Sequence, residues 1–115
     1  MKVVINVCYG GFGLSHEAMV RFAEIKGFDL QWTKSQFSLL DKTYYIGDPK
    51  NEKHFWYGDI DRSDPDLVQA VEELGEKANG EFADLKVVDI PDGIEYTIEE
   101  YDGTEWVAEK HRTWS

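Results

Sequence analysis

Residues 94–109, Ile94-Glu95-Tyr96-Thr97-Ile98-Glu99-Glu100-Tyr101-Asp102-Gly103-Thr104-Glu105-Trp106-Val107-Ala108-Glu109, form the stretch on which the fold turns. Asp-Gly between two runs rich in β-branched and aromatic residues signals a hairpin, because a two-residue type I′ turn needs positive φ at both central positions. Strands are therefore expected from Ile94 to Tyr101 and from Thr104 to His111. Ile94, Tyr96 and Ile98 alternate, and Val107 falls opposite Ile98, which gives the hairpin an apolar seam. In the same register Glu100 faces Glu105. Like charges directly opposite are unfavourable unless they are solvated, or relieved by a cation or a basic partner.

Upstream, Leu85-Lys86-Val87-Val88-Asp89-Ile90 is apolar and β-branched, and Pro91-Asp92-Gly93 is turn chemistry. Residues 85–111 are thus read as a three-stranded antiparallel meander. A helix precedes it. Ser63 or Asp64 is the cap, Pro65 sits in the first turn where a missing N–H costs nothing, and Leu67, Val68, Val71, Leu74 and Ala78 form one stripe. Asn79-Gly80 ends it. At the other end of the chain, residues 2–8 read as a nearly continuous β-branched run, as in a central strand. Ser15 then caps a helix from His16 to Lys26, with Met19, Phe22, Ala23 and Lys26 on one face, Glu17 and Arg21 spaced as an i,i+4 pair, and Gly27 as the stop. Between the helices, 36–40, 42–46 and 54–57 are short strand candidates among long loops. The order points to a single α+β domain over residues 1–115, with two helices packed on a mostly antiparallel sheet.

The chain has 115 residues and a net charge of −11. The charge is lopsided: residues 1–50 carry 5 acids and 6 Lys or Arg, while residues 51–115 carry 18 acids and 6 Lys or Arg. A chain without a basic face is not expected to bind a nucleic-acid backbone directly. The acidic half suits solubility or a basic partner protein. No apolar run is long enough to span a bilayer, no signal peptide is expected, and the single cysteine, Cys8, excludes an internal disulfide; cytoplasm is the expected compartment.

Three glycines lie within residues 10–13, between a strand and a capped helix. Tyr9, Gly10, Gly11, Phe12, Gly13, Ser15 and His16 therefore form a candidate ligand site. Glycine lets a backbone approach a ligand closely, and a helix N-terminus offers free N–H groups to a phosphate or carboxylate. The competing reading is a tight β–α turn that needs positive φ. Neither a dinucleotide fingerprint nor a Walker loop is complete, since His16 stands where a third glycine belongs and Gly-Lys-Ser/Thr is absent. Cys8 and His16 flank the same loop and invite a thiol-nucleophile reading, but a cysteine ending an apolar strand is usually a small buried hydrophobe. His16, His54 and His111 lack metal-ligand spacing, so no metal and no cofactor are expected. The acids around the hairpin turn, Glu99, Glu100, Asp102 and Glu105, are the candidate partner surface. Phe55-Trp56-Tyr57 cannot all point inward from a strand, so at least one ring is left for a nucleobase, a protein contact or a second subunit.

The opening Ile5-Asn6-Val7-Cys8-Tyr9-Gly10-Gly11-Phe12-Gly13-Leu14-Ser15 resembles that of a family of small hypothetical proteins of phages and prophage regions. Arg62–Val68, Asn79–Gly80 through Ile90–Gly93, and Glu109-Lys110-His111-Arg112-Thr113-Trp114 resemble the same family, whereas residues 28–60 do not match it. The resemblance implies a context and no activity. By analogy with small phage proteins it implies a non-enzymatic antagonist of host defence, which sequesters a nucleotide-derived signal or inhibits a host defence protein. The alternative is a small enzyme acting on a phosphorylated or nucleotide substrate through Cys8 or His16. A homo-oligomer is compatible with either.

Overall fold

Lys2–Asn6 forms β1, and in the computed structural model, which describes residues 1–34 and 42–109, it occupies the centre of the molecule. Val3 and Val4 are fully buried, as a continuous β-branched run demands when both faces of a strand are covered. Leu85–Asp89 is β5, and it pairs antiparallel with β1, setting Lys2 against Asp89 and Asn6 against Leu85. Among the described residues, no strand pairs with the opposite edge of β1. The Val4 N–H donates to the Arg62 carbonyl at 2.9 Å, and the Asn6 N–H donates to Glu105 Oε1 at 2.8 Å. A buried backbone donor must find a partner, and here a side-chain carboxylate takes the place of a third strand.

Helix α1, His16–Lys26, and helix α2, Pro65–Leu74, pack on the face of β1 that carries Val4. Local chemistry sets their ends. The Ser15 hydroxyl accepts from the Ala18 N–H, Gly27 closes α1 at φ 89°, and Asp64 caps α2 with Pro65 in its first turn. Met19, Phe22, Leu67, Val68 and Val71 fill the interface. Lys26 reaches Asp64 at 2.9 Å and Asp66 at 3.2 Å, so the basic end of one helix meets the acidic start of the other. Arg21 binds Glu73 of α2 at 2.6 Å and lies 3.8 Å from Glu24; the spacing with Glu17 is not the pair that forms. After α2 the chain continues as a 3-10 turn, Gly75–Ala78, and Ala78 belongs to the core.

Tyr96–Tyr101 and Thr104–Glu109, strands β6 and β7, form the expected hairpin, with Asp102 at φ 53° and Gly103 at φ 90°. Ile98 pairs with Val107 and Glu100 with Glu105. The hairpin lies beside the other face of β1, where Ile5, Val88, Trp106 and Val107 line a common groove. The α+β class and the terminal hairpin match the sequence reading. The third strand of the expected meander does not: β5 leaves the hairpin and pairs with β1, whose buried edge rewards it with more apolar contact.

The region between the helices forms its own antiparallel sheet of β2 (Leu30–Lys34), β3 (Lys42–Ile46) and β4 (His54–Phe55), with β3 in the middle. β2 has no counterpart in the sequence reading, and the strand expected over 36–40 lies outside the described residues. Among the described residues, no helix is long and apolar enough to cross a membrane.

Candidate functional site

The glycine segment runs from the end of β1 to the cap of α1, and its glycines have separate tasks. Gly11 has φ 94°, a conformation that side chains rarely adopt. A Cβ on Gly10 would collide with the backbone and Cβ of Phe82. Gly13 faces Gly80: the Gly80 N–H donates to the Gly13 carbonyl at 3.0 Å, and a Cβ on Gly80 would stand 2.7 Å from the Gly13 carbonyl carbon. Gly103, in the hairpin turn, comes so close that its Cβ would stand 2.5 Å from the Tyr9 carbonyl oxygen. Three turns distant in sequence therefore pack backbone against backbone. At Gly10 and Gly80 the close approach that glycine permits is used by the chain itself.

Ser15 is equally engaged. Its hydroxyl donates to the Lys77 carbonyl at 2.6 Å and accepts from the Ala18 N–H at 3.1 Å, and its own N–H donates to the Ala78 carbonyl at 2.9 Å. Phe12 lies beneath the Arg62 guanidinium, 3.5 Å from Cζ to the ring centroid, and meets Tyr57 edge-on at 5.8 Å.

That guanidinium explains the hairpin charges. Glu105 is 7% exposed and takes Arg62 in a two-pronged pair at 2.6 and 2.9 Å. Glu105 therefore points inward and is not available to a partner; the strain expected from Glu100 opposite Glu105 is offset by a cation of the same chain. Glu99, Glu100 and Asp102 remain exposed. Asn6, fully buried, ties the assembly together. Its Nδ2 donates to the Cys8 and Gly103 carbonyls at 2.7 and 2.8 Å, and its Oδ1 accepts from the Asp84 and Cys8 N–H groups.

The two surfaces read separately from the sequence thus meet in one loop cluster. Tyr9 (72% exposed), Phe82 (66%) and Tyr101 (74%) project from it. Glu81, Glu100 and Asp102 are exposed in the same turns. Phe82 and Tyr101 were not singled out in the sequence, although a lone phenylalanine within Asn79-Gly80-Glu81-Phe82-Ala83-Asp84 is the kind of apolar residue that a polar loop has no reason to carry.

His16 is turned to other partners. Its Nδ1 lies 2.9 Å from the Tyr44 hydroxyl, and its ring packs on Trp32 and Tyr44. Burial, and then the positive charge of Lys42, hold its pKa below the usual histidine value, so the ring is neutral at pH 7. Cys8 is half-buried just past β1, and its backbone is bound to Asn6. His54 packs against Tyr45, and His111 lies outside the described residues. Among the described residues, no three His, Cys, Asp or Glu side chains gather as a metal site. No protein-family model, curated protein or solved structure matches the chain.

Proposed function

We propose that this chain is a non-enzymatic binding protein whose working surface is the loop cluster of Tyr9, Phe82 and Tyr101, and whose target is a protein that presents basic residues. The observation that carries the reading is the exposure of three large aromatic side chains on turns locked together through Gly10 and Gly103. Rigid exposed aromatics are the usual anchors of protein interfaces, because they bury much area at little entropic cost. The neighbouring Glu81, Glu100 and Asp102 select for positive charge and speed encounter. The resemblance to small phage and prophage proteins supports a host defence protein as the target and the host cytoplasm as the place of action.

Binding to partners from a bacterial lysate tests this when wild type is compared with Y9S/F82S/Y101S. The expected result is a basic protein that wild type retains, that about 0.5 M salt releases by screening, and that the folded triple variant fails to capture. Equal capture by both proteins would remove the loop cluster from the function. The enzymatic alternative rests on Cys8 and His16, and the His16 ring is occupied by Tyr44 and Trp32.

A further inference from the structure

A second concavity, of about 340 Å³, lies where β3 and β4 pass the start of α1. Leu14 and Met19 contribute apolar surface, and Tyr44, Trp56 and Tyr57 contribute rings. The volume is at the small end of ligand cavities, with room for one planar ring system and a compact substituent.

Two features mark this cavity as built. Trp56 is 59% exposed, yet its indole is folded over Gly58, where any Cβ would collide with the six-membered ring. An exposed indole held by a glycine, with the Tyr57 ring 5.5 Å away, is a fixed stacking wall. Tyr44 is fixed too, through its hydroxyl on His16 and its ring against that imidazole. The second feature is charge. Lys42 lines the cavity, and among the described residues no carboxylate forms an ion pair with it. In a chain of net charge −11, a cation that has no carboxylate partner among the described residues and lies beside aromatic rings is complementary to an anion.

We propose that this cavity binds a small planar aromatic molecule bearing one anionic group, with the ring against Trp56 and Tyr57 and the anion at Lys42. The site is separate from the protein-binding surface proposed above and does not depend on it. Adenosine monophosphate, adenosine and inorganic phosphate are suitable calorimetric probes, because they separate the ring from the charge. Adenosine monophosphate is expected to bind one site, with adenosine and phosphate each weaker by about tenfold or more. W56A should weaken adenosine monophosphate by about tenfold through lost stacking. K42Q should reduce it to the level of adenosine, with the thermal midpoint of both variants near that of wild type. Y9S/F82S/Y101S should bind it as wild type does. No saturable binding of adenosine monophosphate up to about 5 mM would overturn the proposal, as would phosphate binding as tightly as the nucleotide, or W56A and K42Q binding as tightly as wild type.

Discussion

Arg62 and Glu105, which are 43 residues apart, form a two-pronged ion pair whose carboxylate also receives the backbone N–H of Asn6. The pair joins the edge of β1 to the hairpin. Breaking such a pair leaves a charge buried without compensation, which costs far more than the pair contributes. R62A and E105K should each lose about 3–5 kcal/mol in urea unfolding, while E100K, on an exposed side chain, should stay within about 0.5 kcal/mol of wild type. A double-mutant cycle with R62M/E105M should recover a large part of the single-variant loss. Equal, small effects for E105K and E100K would refute the inward placement of Glu105.

The glycines should separate by task. G13A meets only ordinary contacts, the nearest at 3.7 Å to the Tyr57 hydroxyl, and should be tolerated. G11A should cost about 1 kcal/mol for its positive φ. G10A and G80A force backbone against backbone and should lose at least about 2 kcal/mol. Thermal melts of the four variants give the ranking, and a G10A variant as stable as G13A would contradict the packing on Phe82.

Acid titration should single out Glu73. The Arg21 guanidinium, helped by Gln69, holds this carboxyl at about 2, below its ordinary 4.5. A carboxylate whose folded pKa is depressed contributes stability that is complete above the unfolded value and is lost as pH falls through the folded one. The window is therefore from 4.5 down to about 2, and the effect is small because both partners are solvated. Carboxyl chemical shifts should place the Glu73 midpoint near 2 in wild type and return it towards 4.5 in R21Q. A Glu73 midpoint unchanged by R21Q would exclude the pair.

His16 titrates with the opposite chemistry and the same sign. Its charged form is disfavoured in the fold, so the unfolded chain binds more protons and stability rises with pH. The contribution is complete above the unfolded value of 6.5 and is lost as pH falls below it. Imidazole shifts should give a midpoint below 6.5, and K42Q should raise it by removing a nearby positive charge.

Local chemistry made much of this fold legible. Ser15, Gly27, Asp64-Pro65 and Asp102-Gly103 each act within a few residues, and the ends they set are where the sequence places them, whereas α2 stops at Leu74, short of the expected Asn79-Gly80. The partner of β5 was not legible, because an apolar strand satisfies a hairpin neighbour and a distant strand by the same pattern. β2 was missed because the alternation of Leu30-Gln31-Trp32-Thr33 is short and the strand is largely exposed. At the site, alternation from Val107 already put Glu105 on the inner face. What no local pattern could supply was its counter-charge, since Arg62 belongs to the loop before α2. The glycines were visible as an anomaly, but whether a ligand or a distant turn fills the space they leave is decided by tertiary contacts alone.

The four hydrogen bonds of the Asn6 side chain have a temporal consequence. The Asn6 backbone N–H waits for a carboxylate 99 residues further along, and its amide waits for Gly103. At a ribosomal rate of about 5–20 residues per second, that delay is about 5–20 s. β5 can cover one edge of β1 once residues 85–89 are made, but the edge that Glu105 closes stays open until Glu105 itself is made. The nascent chain therefore spends most of its synthesis with its stickiest segment unshielded, and protection by a chaperone is most valuable at the stage before the hairpin emerges.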